Sequence, residues 1–182
     1  MPMDNNQAPV SRRAFLRGGN LNRHSKAELP QLPWTIPGTI INSCSQCDKC
    51  LDACPENIIV KNKDGFPTVN FSDGECTFCS DCVQTCPEPV FEFISTNPHT
   101  AWDLKAVIAD DCFAMNAVQC QSCQDHCETQ AITFHYVTSA IPTPVISLED
   151  CTGCGACVSI CPSSSIAVTP QTALSLPKGP SL

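Results

Sequence analysis

The sequence predicts an α+β fold in which two small modules of short hairpins and short helices follow an irregular N-terminal arm. Three observations predict it. The 182 residues include 16 cysteines but only 6% aromatic residues, so the core must be supplemented by cross-links or metal. The cysteines form four groups whose first members lie 32, 36 and 39 residues apart, which indicates an internal repeat. Short β-branched runs connect these groups in pairs.

The four groups are the candidate metal ligands of the chain. In chain order they are Cys44, Cys47, Cys50 and Cys54; Cys76, Cys79, Cys82 and Cys86; Cys112, Cys120, Cys123 and Cys127; and Cys151, Cys154, Cys157 and Cys161.

Groups one, two and four share the spacing C-x2-C-x2-C-x3-C and are followed by Pro55, Pro87 and Pro162. This is the run with which bacterial ferredoxins hold [4Fe–4S] clusters. Three closely spaced cysteines wrap one cluster, and we expect the fourth to begin a short helix that carries it to the neighbouring cluster. The proline is expected where such a helix accepts it. The modules are therefore predicted to be two tandem bacterial ferredoxin-like modules.

This exchange of the fourth cysteine predicts four ligand sets. In the first module they are Cys44, Cys47, Cys50 with Cys86, and Cys76, Cys79, Cys82 with Cys54. In the second module they are Cys112, Cys120, Cys123 with Cys161, and Cys151, Cys154, Cys157 with Cys127.

The third group departs from the pattern. Seven residues separate Cys112 from Cys120, and Glu128 stands where the other groups have proline. The longer loop permits Cys112 to be a ligand, but an ordinary thiol at this position, a three-iron cluster or a labile cluster are alternatives. We expect four [4Fe–4S] clusters, and at least three.

Two hairpins are expected to join the groups in pairs. Runs at 58–60 and 68–71 flank turn residues at 62–65, and runs at 132–134 and 145–148 flank turn residues at 141–144. The predicted units are an arm at 1–43 with Trp34 packed on the first module, a module at 44–91, a connector at 92–111, a second module at 112–169 and a flexible tail at 170–182.

Clustered cysteines have two other common uses, and the sequence favours neither. Structural zinc sites pair two C-x2-C units about 15–20 residues apart, whereas each of these groups is far denser. A disulfide scaffold needs an oxidising compartment, and no apolar secretion segment or membrane-spanning run is visible. The one histidine inside a group, His126, is expected to face solvent. No nucleophile–base pair or phosphate loop indicates an enzyme.

Charge is divided unevenly along the chain. The first 26 residues hold five basic residues against one acid, and the remainder holds five lysines against 17 acids. An acidic body repels nucleic acid and anionic lipid, so a protein partner with a basic docking surface is expected.

The basic arm contains Ser11-Arg12-Arg13-Ala14-Phe15-Leu16-Arg17, which is similar to a twin-arginine export signal. The polar residues that follow do not supply the apolar segment that such a signal needs. A basic arm that docks on a partner and a solvated tail are the alternatives to export. Residues 13–17 are also where a short helix is expected.

The whole pattern resembles the ferredoxin-type accessory protein of the periplasmic nitrate reductase system. The resemblance rests on Arg12-Arg13, Pro33-Trp34, the three regular cysteine runs, the unusual third group and the segment Ala101-Trp102-Asp103-Leu104. It implies a cytoplasmic, non-enzymatic protein with several [4Fe–4S] clusters. It also implies an interaction with the molybdenum-containing catalytic subunit of the reductase before that subunit is exported.

Three functions are compatible with these features. The leading hypothesis is a maturation factor for the nitrate reductase catalytic subunit. The second is a polyferredoxin that relays electrons to a reductase. The third is a scaffolding protein that uses clusters only to fold.

Overall fold

The structure is a computed structural model that describes residues 31–92, 97–137 and 140–174. Its regular elements are all short. The helices are α1 (Thr39–Ser43), α2 (Lys49–Asp52), α3 (Asp81–Gln84), α4 (Ser122–Asp125), α5 (Ala156–Ser159) and α6 (Gln171–Leu174). The strands are β1 (Ile59–Lys61), β2 (Pro67–Val69), β3 (Leu104–Ile108), β4 (Ile132–His135), β5 (Thr143–Ile146) and β6 (Ile166–Pro170), and 3-10 turns lie at Pro98–Thr100 and Ala114–Asn116. The helix expected near Arg13 lies outside the described residues.

The two predicted hairpins are confirmed. Strands β1 and β2 pair antiparallel with Ile59 opposite Val69, and β4 and β5 pair antiparallel with Ile132 opposite Ile146. The second hairpin differs in one detail, because Pro144 was expected in the turn and instead lies in β5 opposite Phe134. A proline fits there because a two-stranded ribbon has only edge strands.

A third sheet was not predicted. Strand β3 lies in the connector and pairs antiparallel with β6 at the end of the second module, with Leu104 opposite Pro170 and Ile108 opposite Ile166. The residues expected to be a flexible tail therefore begin with the last residue of β6 and the four residues of α6. Residues 175–182 lie outside the described part of the chain.

The helices of the cysteine groups correct a second expectation. The fourth cysteine was predicted to begin a helix, but helices α2, α3, α4 and α5 each contain the third cysteine and end before the fourth. In the first group, α2 contains Cys50, and Cys54 lies beyond its C-terminus. The prolines that follow the fourth cysteines therefore lie after a helix, where they cannot interrupt its hydrogen bonds.

Each module has its own small core. The first core includes Leu32, Ile40, Ile58, Val69 and Val90. Trp34 packs on this module as predicted, because it is 5% exposed and its ring meets that of Phe78 edge to face at 6.3 Å. The N-terminal arm thus contributes residues 32–40 to the first module.

The second core is built from smaller side chains. Its buried members include Ala106, Ala131, Ile132 and Ile166, which come from the hairpin and from the β3–β6 sheet. The connector therefore forms part of this module's core rather than a free linker.

The two modules meet through aromatic side chains. The Trp102 indole Nε1–H donates to the carbonyl of Thr152 at 2.8 Å. The same ring packs edge to face on Phe71 at 5.9 Å. Phe71 in turn lies directly against Gly155, whose φ is +87°. Val158 and Val168 of the second module also pack against the core of the first.

We expect Gly155→Ala to loosen this contact between the modules. A Cβ at position 155 would collide with the Phe71 ring, and overpacking of this kind costs about 1–3 kcal/mol. The measurement is the temperature at which the cluster-loaded protein loses its visible absorbance under anaerobic conditions.

The matched control is Gly38→Ala. Gly38 also has a positive φ, of +79°, but a Cβ there would meet nothing within 4 Å. It therefore carries the backbone strain, about 1–2 kcal/mol, without the collision. Equal losses of stability in the two variants would contradict the packing role of Gly155.

Candidate cluster-binding sites

The cysteine loops turn through left-handed backbone conformations. In groups one, two and four, the residues immediately before and immediately after the second cysteine have a positive φ, from +55° to +87°. These residues are Gln46, Asp48, Phe78, Ser80, Gly153 and Gly155. Two such turns in six residues curl the chain so that three sulfurs face a common centre. L-residues other than glycine rarely adopt this conformation.

The third loop is built differently. Gln121, which precedes α4, has φ −140° rather than a positive value. The seven residues between Cys112 and Cys120 instead include the 3-10 turn Ala114–Asn116, which ends at Ala117 with φ +59°. The unusual spacing of this group thus corresponds to an unusual loop, which still returns the chain to Cys120.

Backbone N–H groups point at several sulfurs. The N–H of Gln46 donates to Cys44 Sγ at 3.4 Å, and the N–H of Lys49 donates to the sulfur of Cys47. At Cys76 and Cys154 the sulfur likewise accepts from the backbone N–H two residues further along the chain. Such bonds stabilise thiolate and raise the reduction potential of a bound cluster.

The structure brings the predicted ligand sets together at three cavities. The first set lines one cavity, here called site 1, and includes Cys86 from the second group. The second set lines site 2 and includes Cys54 from the first group. The last set lines site 4 and includes Cys127 from the third group. In each case the fourth thiol comes from the partner group, as the exchange of ligands requires.

The remaining set forms site 3. The thiols that interact electrostatically with Cys123 are those of Cys112, Cys120 and Cys161. Cys112 is buried, and Asn116 holds its carbonyl through both the backbone N–H and the side-chain amide, at 3.1 and 2.9 Å. The structure therefore places Cys112 with the other three thiols of the set.

Burial keeps several of these thiols protonated in the absence of iron. Desolvation, together with repulsion from neighbouring thiolates, raises the pKa of Cys50 to about 11 and that of Cys82 to about 12. The pKa of Cys157 is raised even more, also chiefly by burial. Since iron binds the thiolate, cluster binding at these sites releases protons. The iron then supplies the positive charge that stabilises the closely spaced thiolates.

The donor set fits a [4Fe–4S] cluster. All sixteen cysteines are free thiols, and sites 1, 2 and 4 each present four of them around one cavity. Within the described ranges, no three His, Cys, Asp or Glu side chains converge as closely as a single metal ion requires. A cubane needs a wider arrangement, because each thiolate binds a different iron. His126 is exposed, as predicted, and its Nδ1 lies 3.1 Å from the carbonyl oxygen of Ser122.

The surroundings of the fourth cysteines differ between the modules. In the second module the hydroxyls of Thr129 and Ser163 lie 3.6 and 3.5 Å from the sulfurs of Cys127 and Cys161. The corresponding positions of the first module are Glu56 and Glu88. Hydroxyl donors favour a reduced, more negative cluster and carboxylates oppose it, so at these four positions the second module has the side chains that favour a higher potential.

Sequence reasoning missed several residues around the sites. The connector strand supplies Lys105, whose Nζ donates to the Cys151 carbonyl at 2.6 Å, and Ala106, whose N–H donates to Cys151 Sγ at 3.5 Å. The Ser165 N–H donates to Cys161 Sγ at 3.4 Å. These contacts have no local sequence signal, since each depends on the β3–β6 pairing or on the path of the chain after the fourth cysteine.

Comparison with known proteins agrees with this geometry. Residues 43–90 and 118–165 each match the 4Fe–4S dicluster domain. The second match begins after Cys112, where the loop departs from the regular spacing. The chain is thus a ferredoxin-type protein with two dicluster domains, and its sixteen cysteines provide for four [4Fe–4S] clusters.

Similar full-length proteins identify the family. The chain is 41% identical over 158 residues to the ferredoxin-type protein NapF of Escherichia coli K12, covering 86% of this chain and 93% of that protein. It is 39% identical over 165 residues to ferredoxin-type protein NapF of Haemophilus influenzae, covering 86% and 92%. The chain belongs to the NapF family of ferredoxin-type proteins.

A more distant relative shares only part of its length. This relative is one component of an ion-translocating oxidoreductase complex from Methanosarcina acetivorans. It is 38% identical over 130 residues, which is 68% of this chain but 46% of that protein. Across the described residues, every helix is too short or too polar to span a bilayer.

Removal of iron is expected to unfold the chain. The strands and helices in the described part of the chain have at most five residues each, and metal binding in such a domain is also folding free energy. Anaerobic chelation should abolish the cooperative melt seen by circular dichroism, and reconstitution should restore it. A cooperative, native-like melt of the iron-free protein would contradict this expectation.

The exchange of ligands is tested by comparing three single variants. Cys54→Ala should remove the same cluster signal as Cys79→Ala, since both line site 2. Cys47→Ala, which lies near Cys54 in sequence but lines site 1, should remove a different signal. Each variant should retain about three of the four clusters. Iron analysis and electron paramagnetic resonance of the reduced protein provide the measurement.

The same comparison applies to the unusual loop. Cys112→Ala should match Cys120→Ala in iron content and spectrum. An unchanged four-iron signal in Cys112→Ala would show that Cys112 is an ordinary thiol.

Proposed function

We propose that this protein is a cytoplasmic ferredoxin-type factor that assists maturation of the molybdenum-containing catalytic subunit of periplasmic nitrate reductase before export. The sixteen cysteines act as the four predicted ligand sets. The protein is not itself an enzyme. Its partner is the unexported precursor of the catalytic subunit.

The observation that carries the proposal is the combination of family and fold over nearly the whole chain. The NapF proteins match 86% of it at about 40% identity, and the Pro33-Trp34 and Ala101-Trp102 segments named in the resemblance lie at structural junctions. The Trp34 N–H donates to the Ala101 carbonyl at 2.5 Å, and Glu92 N–H donates to the Trp34 carbonyl at 2.9 Å. The two tryptophan-containing segments on which the resemblance rests therefore also make contacts that hold the modules of this chain in place.

Charge supports a protein partner. The acidic residues beyond residue 26 outnumber the lysines by 17 to five. Within the described residues, the salt bridge between Lys61 and Asp48 uses one of these acids, and both of its side chains are exposed. Most of the acidic charge thus remains available to attract a basic docking surface.

The alternative function is an electron relay to a reductase. Sites lined by exposed cysteines favour it, because Cys47 at site 1 and Cys79 at site 2 reach the surface. An external redox partner would approach the clusters most closely there.

A pull-down from nitrate-respiring cells separates the two functions. The tagged full-length protein is isolated anaerobically from the cytosolic and periplasmic fractions, with an untagged strain as the control. Maturation predicts recovery of the unexported catalytic subunit from the cytosol. Absence from the cytosol, with recovery beside periplasmic or membrane redox subunits, would overturn maturation in favour of the relay.

The dependence of binding on redox state distinguishes a scaffolding protein from a maturation factor and from an electron relay. The same pull-down is repeated with oxidised and reduced protein. A partner that binds both states equally would indicate that the clusters serve only to fold the chain.

A further inference from the structure

A backbone hydrogen bond between the modules joins two cluster-binding loops directly. The backbone N–H of Cys76 donates to the carbonyl oxygen of Cys154 at 2.8 Å. Cys76 lines site 2 and Cys154 lines site 4. A hydrogen bond between the backbones of two lining cysteines leaves no room for other residues between the two loops at this point.

Side chains on both sides hold this joint in place. Trp102 donates to the carbonyl of Thr152 in the site 4 loop, and its ring packs on Phe78 of the site 2 loop at 5.7 Å. Phe71 closes the joint against Gly155. The joint is thus a packed interface rather than a single bond.

Neighbouring sites also adjoin within each module. Helices α2 and α3, which contain Cys50 and Cys82, pack against each other, as do α4 and α5, which contain Cys123 and Cys157. The thiol charges of Cys50 and Cys82 interact, and so do those of Cys123 and Cys157. Across the modules the corresponding pair is Cys76 and Cys154.

We propose that the four sites form one unbranched series in the order site 1, site 2, site 4, site 3, joined across the modules at the hydrogen bond between Cys76 and Cys154. The joint would hold the clusters of sites 2 and 4 next to each other, so that an electron could pass between the modules with no bond made or broken. Sites 2 and 4 occupy the middle of the series, whereas sites 1 and 3 are its two ends. The inference rests on the proposed ligand sets and deepens either function, because it does not depend on the identity of the partner.

Glu75 provides a sharp test because it lies at the joint. Its side chain is half-buried, it lines site 2, and its charge interacts with the thiol of Cys154 at site 4. The negative charge of a carboxylate that lies between two adjoining sites should lower the reduction potentials of the clusters at both sites. Glu88 is the matched control, since it lines site 1.

The experiment is an anaerobic redox titration of the cluster-loaded full chain with dithionite, followed by electron paramagnetic resonance. The parent protein and both variants are titrated at the same pH. Glu75→Gln should shift two of the four midpoint potentials upward, and Glu88→Gln should shift only one. A shift of a single potential in Glu75→Gln would overturn the proposed order.

Spin coupling in the fully reduced protein gives a second measurement that needs no charge change. Cys151→Ala, which removes a site 4 ligand, should narrow the signal of site 2, whereas Cys112→Ala at site 3 should leave that signal unchanged. Equal effects of the two variants would overturn the series. Both measurements use the isolated chain, so their failure leaves the pull-down result unaffected, and a failed pull-down leaves the series standing.

Discussion

The fold depends on one constraint, which is that each site takes its fourth thiol from the partner group of the same module. Cys86 must return to site 1 and Cys54 must reach site 2. The hairpin between the two groups and the packing of α2 on α3 follow from that crossing, because they bring the ends of two cysteine runs side by side. Strands of three residues would not persist alone. The thiols therefore position the hairpin as much as the hairpin positions the thiols.

The loops carry the strain of this arrangement. Gln46, Asp48, Phe78 and Ser80 are not glycines, yet all have positive φ, a conformation that is unfavourable for residues with a Cβ. The N–H groups that these turns direct at sulfur offset part of that cost. Where the spacing changes, in the third group, the left-handed residues on either side of the second cysteine are absent and a 3-10 turn after Cys112 takes their place. The loop can therefore vary as long as the sulfur is returned to the site.

The sequence was informative wherever a feature is local. Cysteine spacing predicted which thiols converge, and the β-branched runs at 58–60 and 132–134 predicted both hairpins, because periodicity and turn residues lie within a few positions of each other. The placement of the short helices was wrong by one cysteine, since four-residue helices have too few residues to show a pattern. The pairing of Leu104 with Pro170 and the bond between Cys76 and Cys154 were not predictable, because each joins segments more than 60 residues apart with no complementary signal in either.

The shared ligands bear on the proposed role in maturation. If a cluster left site 1, Cys86 would no longer be held to iron there, although its own cysteine group also supplies three thiols to site 2. The module would then lose one of the two exchanged thiols that join its cysteine groups. Donation of a resident cluster would therefore remove part of the free energy that holds the donor's module together. Transfer of an electron changes no ligand and leaves the hairpins, the joint and both cores intact. Of the ways in which a maturation factor can act on a metal-containing precursor, this fold favours holding the precursor or supplying it with electrons over surrendering one of its own clusters.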